Sequence, residues 1–114
     1  MLFTDSMTVE EILATLTEEF GDEFNWFLLP ADNTSFANEL KKELSADDPF
    51  LAGKIHAIAK CGSNDDVLFR SVTNDSCLLR IYHLTYSACN RSGFPKYVDF
   101  PDAKSVGEYL LEQR

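Results

Sequence analysis

Two acidic residues and one histidine have the residue types of a general acid–base group. Asp65 and Asp66 follow the turn former Asn64, and His83 lies on the next predicted strand. A carboxylate orients an imidazole that titrates near neutral pH, so such a group can move protons if the strands bring it together. The alternative is that Asp65 forms the turn and His83 is a hydrogen-bonded sheet residue. Because no activated nucleophile completes the group, the pattern favours the structural interpretation.

The histidines and cysteines are badly spaced for a metal site. Cys61, Cys77 and Cys89 are an odd number without a CxxC pair, which is not typical of a disulfide framework. His56 points away from Cys61 on its predicted strand, and His83 is too far from Cys77 along an extended chain to share an ion. We predict no metal, no cofactor and a reducing compartment.

Apolar residues recur with helical spacing in three stretches. Thr8 and Glu11 form a capping box ahead of the first stretch, and Gly21 ends it. A second helix begins after Asn33 or Thr34, each of which can cap it. The predicted helices cover 9–20, about 34–45, and a C-terminal segment that begins after Pro101 and Asp102.

Between the second and third helices the apolar period changes to two, which is typical of strands. Turn-forming residues separate the predicted strands, so we expect an antiparallel meander. Strands are predicted at 24–29 (buried), 54–61 (half-buried, with Ile55, Ala57, Ala59 and Cys61 on one face), 66–72, 77–86 (apolar on both faces, hence central) and 96–100 (an edge). The fold class is α+β, with a mainly antiparallel sheet of three to four strands, two N-terminal helices and one C-terminal helix.

The length and composition of the chain are typical of one domain with its own hydrophobic core. The chain has 114 residues, 45% of them hydrophobic and 12% aromatic. We predict a single domain over 1–114. The start, MLFTDSMTVEE, carries acids where a signal peptide carries Lys or Arg, and no apolar run has the length of a membrane helix. We expect a cytoplasmic protein with no membrane association.

Charge is divided unevenly along the chain. The net charge is −9, which opposes binding to nucleic-acid phosphates. Residues 1–48 hold 12 acids and 2 bases, whereas 49–114 hold 7 acids and 8 bases. An acidic surface of this kind attracts a basic protein and speeds their encounter; the alternative is a merely solvated helix face. The predicted partner-binding acids are Glu18, Glu19, Asp22, Glu23, Glu39, Glu43, Asp47 and Asp48.

Two further segments can contribute contacts. The loop SACNRSGFP is long for a hairpin, and its Asn90 and Arg91 can touch a partner, although a plain turn explains the loop as well. Trp26 with Phe24 and Phe27 can form an exposed anchor, but aromatic residues in so small a chain are core residues by default.

Three runs of the chain, CGSNDDVLF at 61–69, YHLTYS at 82–87 and GFP at 93–95, resemble short stand-alone bacterial proteins of unassigned activity. Some of those proteins look like the immunity proteins of toxin systems. The resemblance implies a bacterial cytoplasmic protein and carries no catalytic assignment. An immunity role agrees with the acidic N-terminal half, because many toxin domains are basic enzymes that an acidic inhibitor can cover.

Three hypotheses follow. The first is a non-enzymatic acidic binding protein, an immunity-type inhibitor that occludes a basic toxin domain through charge steering and a packed hot spot. The second is a small enzyme or ligand-binding domain that uses Asp65, Asp66 and His83 in a pocket over the sheet. The third is an adaptor that docks in a larger assembly.

Overall fold

The computed structural model describes residues 2–87 and 94–113, which form three α-helices and one five-stranded sheet. The helices are α1 (Val9–Phe20), α2 (Ser35–Glu43) and α3 (Ala103–Gln113). The strands are β1 (Trp26–Leu28), β2 (Lys54–Cys61), β3 (Asp66–Val72), β4 (Cys77–His83) and β5 (Lys96–Phe100). Neighbouring strands are antiparallel and follow chain order. The α+β prediction is confirmed.

The sheet has five strands instead of the predicted three to four. The extra one is β1, which pairs with the end of β2 and forms an edge. It was predicted as a buried strand, but only Trp26 is buried, because nothing in the described chain covers the outer side of an edge strand. Strand β4 is an interior strand paired with both β3 and β5, as predicted, although β3 is the middle strand of the five.

Strand β4 ends at His83, three residues earlier than predicted. The main-chain N–H groups of Thr85 and Tyr86 donate to the carboxylate of Glu43 and so are not available to a neighbouring strand. Tyr86 takes a left-handed φ of 55°, which turns the chain away from the sheet. A side chain distant in sequence therefore decides where this strand ends.

The sheet separates two apolar cores. Helices α1 and α3 pack on one face, and α2 packs on the other together with a short 3-10 turn at Pro49–Ala52. Strand β4 contributes to both cores, as its apolar pattern predicted: Leu79 and Ile81 enter the first, and Tyr82 enters the second together with Leu84, which follows the strand.

Strand β2 does not keep one apolar face along its whole length. The pairing with β3 shifts between Ala57 and Ala59, so that Ile58 is an extra residue in the ladder. A bulge of this kind reverses which side chains face each core. Ile55 and Ala57 consequently lie in the α2 core, whereas Ala59 and Cys61 lie in the α1 core. The prediction that all four share one face was wrong for this reason.

Helix α1 begins and ends as the sequence predicted. The Thr8 hydroxyl accepts from the N–H of Glu11, whose carboxylate accepts from the N–H of Thr8. Gly21 follows the helix with a φ of 55°. Helix α3 approaches α1 closely at Gly107, where an added Cβ would lie 2.7 Å from Ile12 Cγ2.

Candidate functional site

Four predicted partner residues lie together on the surface, at the C-terminal end of α1 and in the 3-10 turn that follows it. They are Glu18, Glu19, Asp22 and Glu23, here called the acidic end of α1, and all are exposed. The last turn of α1 holds no basic residue. Negative charge at a helix C-terminus opposes the helix dipole and costs stability. Acids in a place that disfavours folding point to a role outside folding.

The acidic end of α1 borders an open groove beside β1. The groove has a volume of about 690 Å³, and its lining includes Glu18 and Asp22 together with Phe27 and Leu28 of β1. Phe27 and Leu28 are 54% and 44% exposed, whereas Trp26 is buried; Phe27 alternates with Trp26 and Leu28 along the strand, so its side chain lies on the opposite face of the sheet. Of the aromatic residues near β1, Trp26 is therefore a core residue, and Phe27 is the exposed one.

Glu43 is not part of a surface, contrary to the prediction. Its residue is 5% exposed, and its carboxylate accepts from the main-chain N–H of Thr85 (2.7 Å), from the Thr85 hydroxyl (2.8 Å) and from the N–H of Tyr86 (2.9 Å). Three donors at one carboxylate make Glu43 a structural anchor between α2 and the segment after β4. This anchoring role could not be predicted from the sequence, because Glu43 continues the polar face of its helix.

Glu39 lies one turn before Glu43 on α2, and the two carboxyl groups hydrogen-bond to each other. Burial alone would raise the pKa of Glu43, but the hydrogen bonds from Glu39, Thr85 and Tyr86 outweigh it and lower that pKa. The hydrogen bond to Glu43 raises the pKa of Glu39. Glu39 is half-buried, and Glu43 is buried.

The remaining predicted partner residues are divided between structure and surface. Asp48 is half-buried and caps the 3-10 turn by accepting from the N–H of Phe50 at 2.9 Å. Asp47 is exposed and accepts from the Ser45 hydroxyl. Asn90 and Arg91 lie outside the described residues. The exposed acids of the predicted set are therefore fewer than expected, and most of them lie at the acidic end of α1.

A cluster around Arg80 is not marked by any pattern in the sequence. The guanidinium lies 5.0 Å from the Phe50 ring centroid and 4.2 Å from that of Tyr97, and it is ion-paired with Asp99. It also donates to the Tyr82 hydroxyl at 2.8 Å, and burial raises the pKa of that hydroxyl to about 12. These contacts tie β4 to β5 and to the 3-10 turn that holds Phe50.

Asp66 and His83 meet, as the sequence hypothesis required. They are directly opposite on β3 and β4, and His83 Nδ1 lies 2.8 Å from an Asp66 carboxylate oxygen. The His83 side chain is 56% exposed. Asp65 is not part of the pair; its main-chain oxygen accepts from the N–H of Leu84. A contact so open to water contributes little stability.

A cleft of about 270 Å³ lies beside this pair, between the end of the sheet and α3. Asp66, Trp26 and Tyr109 are among its lining residues. Cys61 also lines it, but this thiol is buried, and the side-chain contact that the structure gives it is with the Ser63 hydroxyl at 3.5 Å. The geometry thus provides a carboxylate and an imidazole next to a cleft, without an activated nucleophile among the described residues.

Residues 2–87 and 94–113 contain no group of three or more His, Cys, Asp or Glu side chains placed to hold a metal ion. The three described helices are too short or too polar to cross a membrane.

Comparison of the chain with protein-family models, with curated proteins and with solved structures gives no significant match.

Proposed function

We propose that this protein is a non-enzymatic binding protein for a basic partner, an immunity-type inhibitor that occludes a toxin domain in the bacterial cytoplasm. The observation that carries the proposal is the acidic end of α1 beside the exposed side chains of Phe27 and Leu28. Complementary charge steers two proteins together, and a desolvated apolar anchor at the centre holds them. The acidic end of α1 provides the charge, and Phe27 provides the apolar anchor.

The position of the acids supports the same proposal. Glu18 and Glu19 lie where the helix dipole disfavours them, and no basic residue of the last turn of α1 compensates. By contrast, Glu10 forms a 2.8 Å ion pair with Arg70 of β3, and Glu43 anchors Thr85. Glu10 and Glu43 thus serve the fold, whereas Glu18 and Glu19 lie where the helix dipole opposes their charge.

Co-expression tests the proposal. The secreted toxin-like protein encoded in the adjacent reading frame is expressed with and without this chain, and growth and complex formation are measured. We expect growth to be restored and a stable complex to be isolated. Absence of such a reading frame, or continued toxicity with no complex, would contradict the immunity role.

A pair of charge variants makes the co-expression test specific. Glu18→Gln, Glu19→Gln and Asp22→Asn are combined in one variant, which we expect to protect less well. Its matched control removes three exposed charges elsewhere and should protect like the wild type. The control substitutions are Asp75→Asn, Glu108→Gln and Glu112→Gln.

A second candidate function, a small enzyme or ligand-binding domain, rests on the Asp66–His83 pair beside the cleft. In that case the imidazole would act as a general base with Asp66 orienting it. A hydrolase and nuclease screen of the wild type and of His83→Gln in parallel separates the two candidates. An activity that disappears in the folded His83→Gln variant would favour the enzyme.

A further inference from the structure

The outer edge of β1 carries main-chain groups without a partner strand. On the inner side, the Asn25 oxygen accepts from the Gly62 N–H at 2.7 Å, and the Leu29 N–H donates to the Ile58 oxygen at 2.9 Å. Main-chain groups of an antiparallel strand alternate in direction, so those of Trp26 and Leu28 point outward. In residues 2–87 and 94–113 the structure gives these outward groups no hydrogen bond.

Within β1 itself this edge carries neither a charge nor a proline, although the strand is only three residues long and Pro30 lies two residues after its end. Edge strands usually carry a Lys, a Pro or an inward charge that prevents another strand from pairing. Strand β5, the opposite edge, has Lys96 and Asp99 and follows Pro95. Strand β1 reads Trp-Phe-Leu, with two of its three side chains substantially exposed. The edge of β1 is therefore open to strand addition.

The side chains around the edge of β1 determine which kind of strand can bind there. Side chains of a strand alternate between the two faces of a sheet. A strand added beside β1 would therefore place alternate side chains in the groove with Glu18 and Asp22, and the others next to Phe27 on the opposite face. Carboxylates on one side favour Lys or Arg at those positions, and the exposed aromatic ring favours apolar residues between them.

We propose that an extended segment of a partner protein, with basic residues alternating with apolar ones, adds to the outer edge of β1 as a sixth strand. The inference rests on the proposed function, because it specifies how the basic partner is held. A second copy of this chain is a poorer occupant, because pairing two β1 edges would bring two acidic ends of α1 together. Main-chain bonds would give affinity, and the alternating side chains would give specificity.

Peptide binding tests the inference without a known partner. The probes are a peptide of alternating Lys and Val, one of alternating Glu and Val, and the Lys–Val peptide with N-methyl groups on its pairing edge. Trp26 is the single tryptophan of the chain, so its fluorescence reports binding at β1. We expect binding of the Lys–Val peptide alone, because the other two remove either the charge complementarity or the main-chain bonds.

Amide hydrogen exchange identifies the mode of binding. The N–H groups of Trp26 and Leu28 should exchange slowly only when the Lys–Val peptide is bound. The N–H of Phe27 points towards β2 and is an internal control that should be protected in both states. Binding without new protection at Trp26 and Leu28, or no binding of this peptide, would overturn the inference.

Two substitutions at one residue separate main-chain from side-chain effects. Leu28→Pro removes the outward N–H, at the kind of edge position that tolerates proline, and should weaken Lys–Val peptide binding about tenfold. Leu28→Ala keeps the N–H and should weaken it less. Equal losses in both variants would overturn strand addition. Circular dichroism checks the fold of Leu28→Pro, and the N-methylated peptide repeats the test on the unaltered protein.

The toxin domain separates failure of this inference from failure of the proposed function. If the wild-type chain does not bind the toxin domain, the proposed function fails, whatever the peptides do. If the wild type binds it and folded Leu28→Pro binds it equally well, the function stands and strand addition is wrong. Weaker toxin binding by Leu28→Pro than by Leu28→Ala supports both.

Discussion

Glu43→Gln exchanges one carboxylate oxygen for an NH₂ group. Among such single-atom exchanges, it is the one for which the structure predicts the largest effect on stability. The carboxylate accepts three hydrogen bonds, two from Thr85 and one from Tyr86. Glutamine has the same shape but replaces one acceptor oxygen with an NH₂ donor. Whichever way the amide is turned, a donor then faces a main-chain N–H, so at least one bond is lost in a buried place.

The expected cost follows from the kind of bond that is lost. A hydrogen bond to a charged group contributes about 1.5–3 kcal/mol, and a buried N–H left unsatisfied adds to the penalty. We expect Glu43→Gln to lower the free energy of unfolding by about 2–3 kcal/mol. For a domain of this size that lowers Tm by roughly 10 °C. Urea titration and calorimetry at pH 7 measure both quantities.

The matched control is Glu39→Gln, one turn earlier on α2. An amide at this position can still donate to Glu43 and removes the repulsion between two carboxylates, so we expect a change within about 0.5 kcal/mol. If Glu43→Gln unfolds at the wild-type Tm, or if Glu39→Gln costs as much, the assignment of Glu43 as an anchor is wrong.

The effect of Glu43→Gln should depend on pH. The pKa of Glu43 is lowered from its usual 4.5 in the folded chain, so its charge stabilises the fold above pH 4.5. That stabilisation is lost as pH falls through the folded pKa. The difference in stability between wild type and Glu43→Gln should therefore shrink below pH 4.5. A difference that stays constant down to acidic pH would show that the carboxylate charge is not the cause.

Three further predictions follow from other parts of the structure. Glu19→Lys should raise the free energy of unfolding by about 0.3–1 kcal/mol, because a lysine at the C-terminal end of α1 interacts favourably with the helix dipole. The same substitution should slow association with a basic partner. Lower stability by urea titration would argue against this account. Gly107→Ala should cost about 1–3 kcal/mol because its Cβ would crowd Ile12, and a wild-type Tm would refute the close helix contact. His83→Gln should change stability by less than about 0.5 kcal/mol, because the imidazole is exposed; a large fall in Tm would contradict this.

Local signals made most of the fold predictable. The capping box of Thr8 and Glu11, the left-handed Gly21 and the turn clusters between strands act through neighbouring residues, so spacing alone revealed them. Whether Asp66 and His83 meet was left open by the sequence; the register of β3 and β4 places them opposite each other.

The parts that were not predictable depend on contacts between distant residues. The apolar residues of β2 alternate regularly in the sequence. In the structure, the bulge at Ile58 places those before it and those after it on opposite faces of the sheet. In the sequence, Glu43 has the pattern of a charged residue on an exposed helix face. Its role depends on the contact with the Thr85 segment, which is distant in the chain. The Arg80 cluster joins three separate elements, so no local pattern marks it.

The acidic end of α1 as the surface for a basic partner is the central claim, and the rate of association with the basic toxin domain tests it most directly. The rate is measured over a range of salt concentrations for the wild type, for the variant lacking charge at Glu18, Glu19 and Asp22, and for its matched control. We predict a wild-type rate that falls steeply with salt, a rate about tenfold lower at low salt for the variant, and a control that follows the wild type. Equal rates for the three proteins at low salt would contradict the claim.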